Sequence, residues 1–210
     1  MKGPTMSELG FTPTSFHKLV GFILRELNRE VGAVELAKFL YLIDVDAMKL
    51  MGRTITGDEY TRVQRGPLPM HFYSIIEDMN GAEIERYIKP TLLRAKHCHR
   101  LGKKPRFEFD LLPEEELVAR KVIESAKELK LSELISLAYE TEPMRNILKR
   151  EQTEGWGMLQ GEHVDLVDVS QNQKLARWRK NKIKHEASSD PEYEMHLLEE
   201  LKQVEEIQSS

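Results

Sequence analysis

The stretch LAKFLYLIDVDAMKLM, residues 36–51, constrains the fold more than any other part of the chain. Wound as a helix, it is apolar around most of its circumference. A helix at a domain surface shows one apolar stripe, whereas one that is apolar nearly all round must be enclosed by other elements. The spacing predicts a helix from about Ala33, with Leu36, Phe39, Leu40, Ile43, Ala47, Leu50 and Met51 inward and Gly52 as its stop. What surrounds it must come from the rest of the chain.

Upstream, Phe16, Leu19, Val20, Ile23, Leu24 and Leu27 recur at three- and four-residue spacing. They predict a helix that starts near Pro13, is capped by Thr12 or Thr14, and is broken by Gly32. Downstream, Glu59 to Gln64 alternates like a short strand, and Gly66-Pro67 forms a corner. A third helix is expected from Pro69 to Met79. Thr91–His99 and Pro105–Leu111 suggest a β-hairpin around Leu101-Gly102, with Phe107 and Phe109 on one face. Leu112-Pro113-Glu114 opens a helix with an inner stripe of Val118, Val122, Ser125 and Leu129. Two short helices follow, Leu134–Tyr139 after a Ser132 cap and Met144–Arg150 after Thr141-Glu142-Pro143. The expected class is α+β and predominantly α-helical, a compact helical domain with a small antiparallel β-sheet or hairpin. Residues 1–12 are a lead-in, 13–164 the domain, and 165–210 a charged C-terminal extension with an amphipathic helix.

Composition enters where it excludes. With 40% hydrophobic and 31% charged residues, no apolar run approaches the length of a membrane span. The N-terminus has no basic-then-apolar pattern, so no secretory signal is expected. The single cysteine, Cys98, leaves no intrachain disulfide and favours a reducing, cytoplasmic setting. The net charge of −4 gives no global pull towards nucleic acid. Locally the charge is divided. Residues 174–184 carry six cationic side chains and no acid, while residues 186–210 carry eight carboxylates and one lysine. The plain reading is a tail folded on its basic neighbour, or two solvated faces; the sharper one is a contact surface for another protein. A capping box at Ser189 and Glu192 starts the last helix, whose Leu197, Leu201 and Val204 need cover from the chain's own core or from a partner.

Chemistry-bearing constellations are few. His97-Cys98-His99 could offer two imidazoles from one strand face, but zinc needs more ligands and no second pair exists. Cys98 has no base that can turn towards it. Gly155-Trp156-Gly157 lacks the rest of any phosphate-binding pattern, and no hydrolase, nucleotide or metalloprotease motif is present. No catalytic, cofactor or metal residues are therefore expected, and no enzyme. Asp44 lies at the apolar border of its helix, where a carboxylate needs a partner. Arg53, Arg62 and Arg65 are available for a structural salt bridge; the alternative is a polar anchor inside a recognition groove. A helix-turn-helix is a poor fit, because the second helix is apolar and carries two aspartates rather than base-reading side chains.

Lys38-Phe39-Leu40-Tyr41-Leu42-Ile43-Asp44, then Gly52-Arg53-Thr54-Ile55-Thr56-Gly57-Asp58-Glu59-Tyr60, then Arg65-Gly66-Pro67-Leu68-Pro69, resembles the Panacea domain of SocA-like antitoxins. The late Glu140-Thr141-Glu142-Pro143 falls where that family tends to carry a Glu-x-Pro. The chain departs from the family pattern at Ile43, Tyr139 and Met144. The resemblance covers about residues 14–150. It implies an antitoxin that binds and neutralises a cognate toxin protein encoded beside it, with no cofactor. Some relatives are phage-associated proteins without an assigned partner.

The partner-binding candidates are Tyr41, Asp44, Arg53, Tyr60, Arg65, Tyr73 and Trp178, since a few aromatic and arginine anchors dominate most protein contacts. Lys38, Gly52, Gly66 and Pro67 are expected to be structural signature residues. The alternative function is a nucleic-acid-binding regulator that uses the 174–184 run with Trp178 as a stacking ring. The adjacent acidic tail competes for the same cations and argues against it.

Overall fold

The computed structural model describes residues 12–90, 95–155 and 157–169. The helix that the sequence requires to be enclosed is α2, Ala33–Met51. It contacts helices α1 (Ser15–Leu27), α4 (Pro113–Ala126) and α5 (Leu131–Tyr139), together with strands β1 (Val31–Gly32), β3 (Gly66–Pro69) and β5 (Ala95–Leu101) and the 3-10 turn Val167–Val169. Phe39, Leu40, Tyr41, Ile43 and Ala47 are fully buried, so successive faces of α2 all meet protein. Gly52 ends the helix as expected, at φ 65°, with its N–H donating to the Met48 carbonyl at 3.1 Å. A residue without Cβ suits that left-handed cap.

Helix α1 is capped at Thr14. The third helical residue, His17, takes the part glutamate usually plays: its Nδ1 accepts from the Thr14 N–H at 3.1 Å. The helix stops at Leu27, earlier than Gly32, because Asn28 adopts φ 46° and closes it. Gly32 instead lies in β1 and precedes α2.

Two small antiparallel sheets flank α2. One runs β3-β2-β6, with β2 at Tyr60–Val63 and β6 at His163–Val164. Gly66-Pro67 is not the corner. Val63 pairs with Gly66 and Tyr60 with Pro69, so Gln64-Arg65 makes a two-residue hairpin turn and Gly66, at φ 91°, opens β3. Because Pro69 pairs with Tyr60, helix α3 begins later than expected, at Phe72, and runs to Met79.

The other sheet runs β1-β5-β4 and corrects the expected hairpin. Strand β5 is paired with β4, Ile84–Pro90, from Ile84↔Leu101 to Pro90↔Ala95. Residues 105–111 form no strand. The Gly102 N–H donates to the Glu83 carbonyl at 2.7 Å, and Gly102 packs so tightly that a Cβ there would lie 2.0 Å from the Ala82 oxygen. Arg106 is then held by the Glu83 carboxylate, with Nε at 2.8 Å. The chain therefore crosses α1 instead of turning back. Phe109 is buried against Gly21, where even a methyl group would overlap its ring. Alternating phenylalanines here mark a strap over a helix, not a strand.

In α4 the inner stripe is Val118, Ala119, Val122, Ile123 and Ala126, whereas Ser125 faces out. Helix α5 starts at Leu131, and α6 extends from Glu142 to Glu154, a full turn beyond Arg150. One apolar cluster joins Phe16 at the start of α1 to Val169. Among the described residues, no helix is long and apolar enough to cross a membrane.

Candidate interaction surface

The signature residues of α2 project towards the β2–β3 hairpin, and Asp44 ties the two together. It is fully buried. Oδ1 accepts from the Ile55 N–H at 2.7 Å and the Thr56 N–H at 3.2 Å. Oδ2 accepts from the Tyr60 hydroxyl at 2.8 Å and from the Thr56 hydroxyl. This replaces the expected salt bridge. Arg53 pairs with Glu115 at 2.5 Å, Arg62 with Glu151 at 3.3 Å, and Arg65 is exposed. Neutral donors lock the loop to the helix, and burial pushes the Asp44 carboxyl up to about 6 despite them.

Tyr41 and Tyr60 are equally enclosed. Their rings meet edge to face at 5.3 Å, and the Tyr41 hydroxyl lies 2.6 Å from Thr141 Oγ1. Burial raises both phenols. Tyr41, Asp44 and Tyr60 thus form framework beneath the surface, and no partner reaches them in this fold. Arg53 is half-buried and engaged with Glu114 and Glu115. Trp178, the basic run and the acidic tail lie outside the described residues.

Arg65 and Tyr73 are brought together. They stand on the rim of a cleft of about 190 Å³ between the start of α2, the β2–β3 hairpin and α3. Tyr73 is 66% exposed, and its ring meets Phe72 edge to face. Met70, which the sequence did not single out, is exposed just before α3. Lys38 lies in the cleft lining but is only 1% exposed, with Nζ donating to the Pro67 carbonyl at 2.6 Å. Burial, reinforced by the nearby Arg62 guanidinium, lowers its amine to about 7. Gly66 explains the close fit: a Cβ there would stand 3.2 Å from Lys38 Cε. A lysine within a helix apolar on nearly every side was the available signal for this cleft.

Arg62 and Glu151 form a second buried pair, joining β2 to α6. Nothing in sequence spacing links positions so far apart. Cys98 and His99 are both buried in β5, and no three metal-binding side chains cluster among the described residues.

The family model for the SocA-like antitoxin, Panacea domain, matches residues 36–143, just over half of the chain. The chain belongs to the SocA-like antitoxin family. No curated protein and no solved structure matches it. The matched Panacea segment holds Lys38, Tyr41, Asp44, Gly52, Tyr60, Gly66 and Pro67, and both rim residues, Arg65 and Tyr73. Helix α1 and the C-terminal part of α6, including Glu151, fall outside it. The Panacea segment thus contains the Asp44 lock and most of the cleft above it, all but Ala33 and Val34 of its lining.

Proposed function

We propose that this protein is the antitoxin of a two-protein module and neutralises a toxin encoded beside it by direct binding in the cytoplasm, without catalysis of its own. The carrying observation is the rim of the cleft, where an exposed arginine and an exposed tyrosine stand on a framework fixed by Lys38, Asp44 and Gly66. Arginine and tyrosine are prominent among residues that dominate protein contacts, and a rigid base limits the entropy lost on docking.

Co-expression with the product of the adjacent reading frame tests the proposal. The neighbour should arrest growth alone and spare it when this chain is co-induced. Arg65→Ala and Tyr73→Ala should each weaken binding of the purified pair by about 30-fold, roughly 2 kcal/mol. Thermal unfolding should stay unchanged in both variants, since both side chains are exposed. Persistent toxicity with wild type would refute the antitoxin role, and full neutralisation by both variants would move the contact elsewhere.

A further inference from the structure

The cleft holds more positive charge than it can use. Among the described residues its lining includes Lys38 and Arg65 and no aspartate or glutamate. The Lys38 ammonium has three protons to donate and, among the described residues, one acceptor, the Pro67 carbonyl. Arg65 makes no ion pair among the described residues. Behind Lys38 lies the buried Arg62, which pairs with Glu151 at 3.3 Å and sets a second cation close to the Lys38 amine. The walls between are apolar, with Val34, Ala37, Leu68 and Phe72. A carboxylate on a short aliphatic stem suits this arrangement, since its stem would cover the walls and its oxygens would face Lys38.

We propose that this cleft is a carboxylate-binding site, and that in the free protein its occupant is an acidic side chain from the chain's own residues 186–210. Those residues carry eight carboxylates against one lysine. Sixteen residues, 170–185, separate them from Val169, where the described fold ends. Sixteen extended residues span on the order of 50 Å, more than the breadth of a domain this size, so reach does not restrict them. Tethering gives the segment an effective concentration in the millimolar range, which makes a weak single-carboxylate contact sufficient. A partner that uses Arg65 and Tyr73 would have to displace the segment. The contact needs no toxin, so it can be refuted while the antitoxin role stands, and the reverse.

The test uses the full chain alone. A water-soluble carbodiimide joins a carboxylate to an amine it touches: an amide forms, and the carboxyl oxygen leaves in the urea. Peptide mass spectrometry should find Lys38 linked to a residue within 186–210, with the link several-fold weaker in Arg65→Glu and absent in Lys38→Met. An equimolar mixture of isotopically heavy and light chains should give links within chains only. Links confined to the 174–184 lysines would mean that the acidic segment rests on its basic neighbour, and would overturn the proposal. Mixed-isotope links would place a second copy in the cleft and also overturn it. A measurement that does not depend on Lys38 reactivity compares backbone amide resonances between wild type and a chain in which every acid of 186–210 is an amide. The Arg65, Gly66 and Tyr73 signals should shift, and unchanged signals would overturn the contact.

Discussion

Asp44 and Lys38 are both charged groups placed on a helix with almost no exposed face, and each is accommodated differently. Asp44 has four donors around its two oxygens. Asp44→Ala would leave the Ile55 and Thr56 amides and the Tyr60 hydroxyl without an acceptor, at a cost of about 3 kcal/mol or more in chemical denaturation. Asp44→Asn keeps the shape and should cost less. Lys38 has one acceptor, and its consequence is a dependence on pH. Its amine titrates near 7 in the fold and at 10.5 when unfolded, so between those values the unfolded chain binds the extra proton. The Lys38 contribution to stability is therefore complete above 10.5 and is lost as pH falls through about 7. A docked carboxylate would hold the proton on, so the effect belongs to the chain whose 186–210 acids are amides. Denaturation of that chain between pH 7 and 9.5 should show stability rising with pH, and adding Lys38→Met should flatten the rise.

Among the elements, those carried by local pattern were legible in the sequence, while those fixed by distant partners were not. Helix α2, its Gly52 stop and the existence of β2 follow from periodicity and backbone chemistry within a few residues. The β4–β5 pairing was missed because its alternative, 105–111, has equally good alternation. What decides between them is the Gly102–Ala82 contact and the Glu83–Arg106 pair, which only the folded chain brings together. In the same way Arg65 and Tyr73, read as candidate anchors, prove exposed, whereas Tyr41 and Tyr60 looked alike in sequence but are sealed by Thr141 and Asp44. The β2–α6 connection shows the strength of such long-range ties. Glu151→Gln would remove the carboxylate charge that faces the Arg62 guanidinium in a site closed to water, costing about 3–5 kcal/mol. Replacing both by apolar residues of similar size should restore part of that loss, which a double-mutant cycle would measure.

At the scale of the molecule, α1, α6 and the residues from Leu159 to Val169 complete a core whose centre is drawn from the family segment. Phe16, Leu19, Phe22 and Ile23 of α1 pack into the same cluster as Leu40 and Ile43 of α2, and Ile147 of α6 joins it. A fragment limited to residues 36–143 would expose that surface and lose Glu151 besides. It should lack cooperative thermal unfolding by circular dichroism, whereas the full chain should retain it. The lineage consequence is that the stretch by which these antitoxins are recognised is shorter than the stretch that must travel together. Recombination that exchanged residues 36–143 between relatives would keep the signature yet break the seams at Gly21–Phe109 and Arg62–Glu151 unless both sides already matched. Surviving hybrids should therefore carry their crossovers before α1 and beyond α6, so that, under the proposed binding at the cleft rim, a change of partner is inherited as an entire domain or as single changes on that rim.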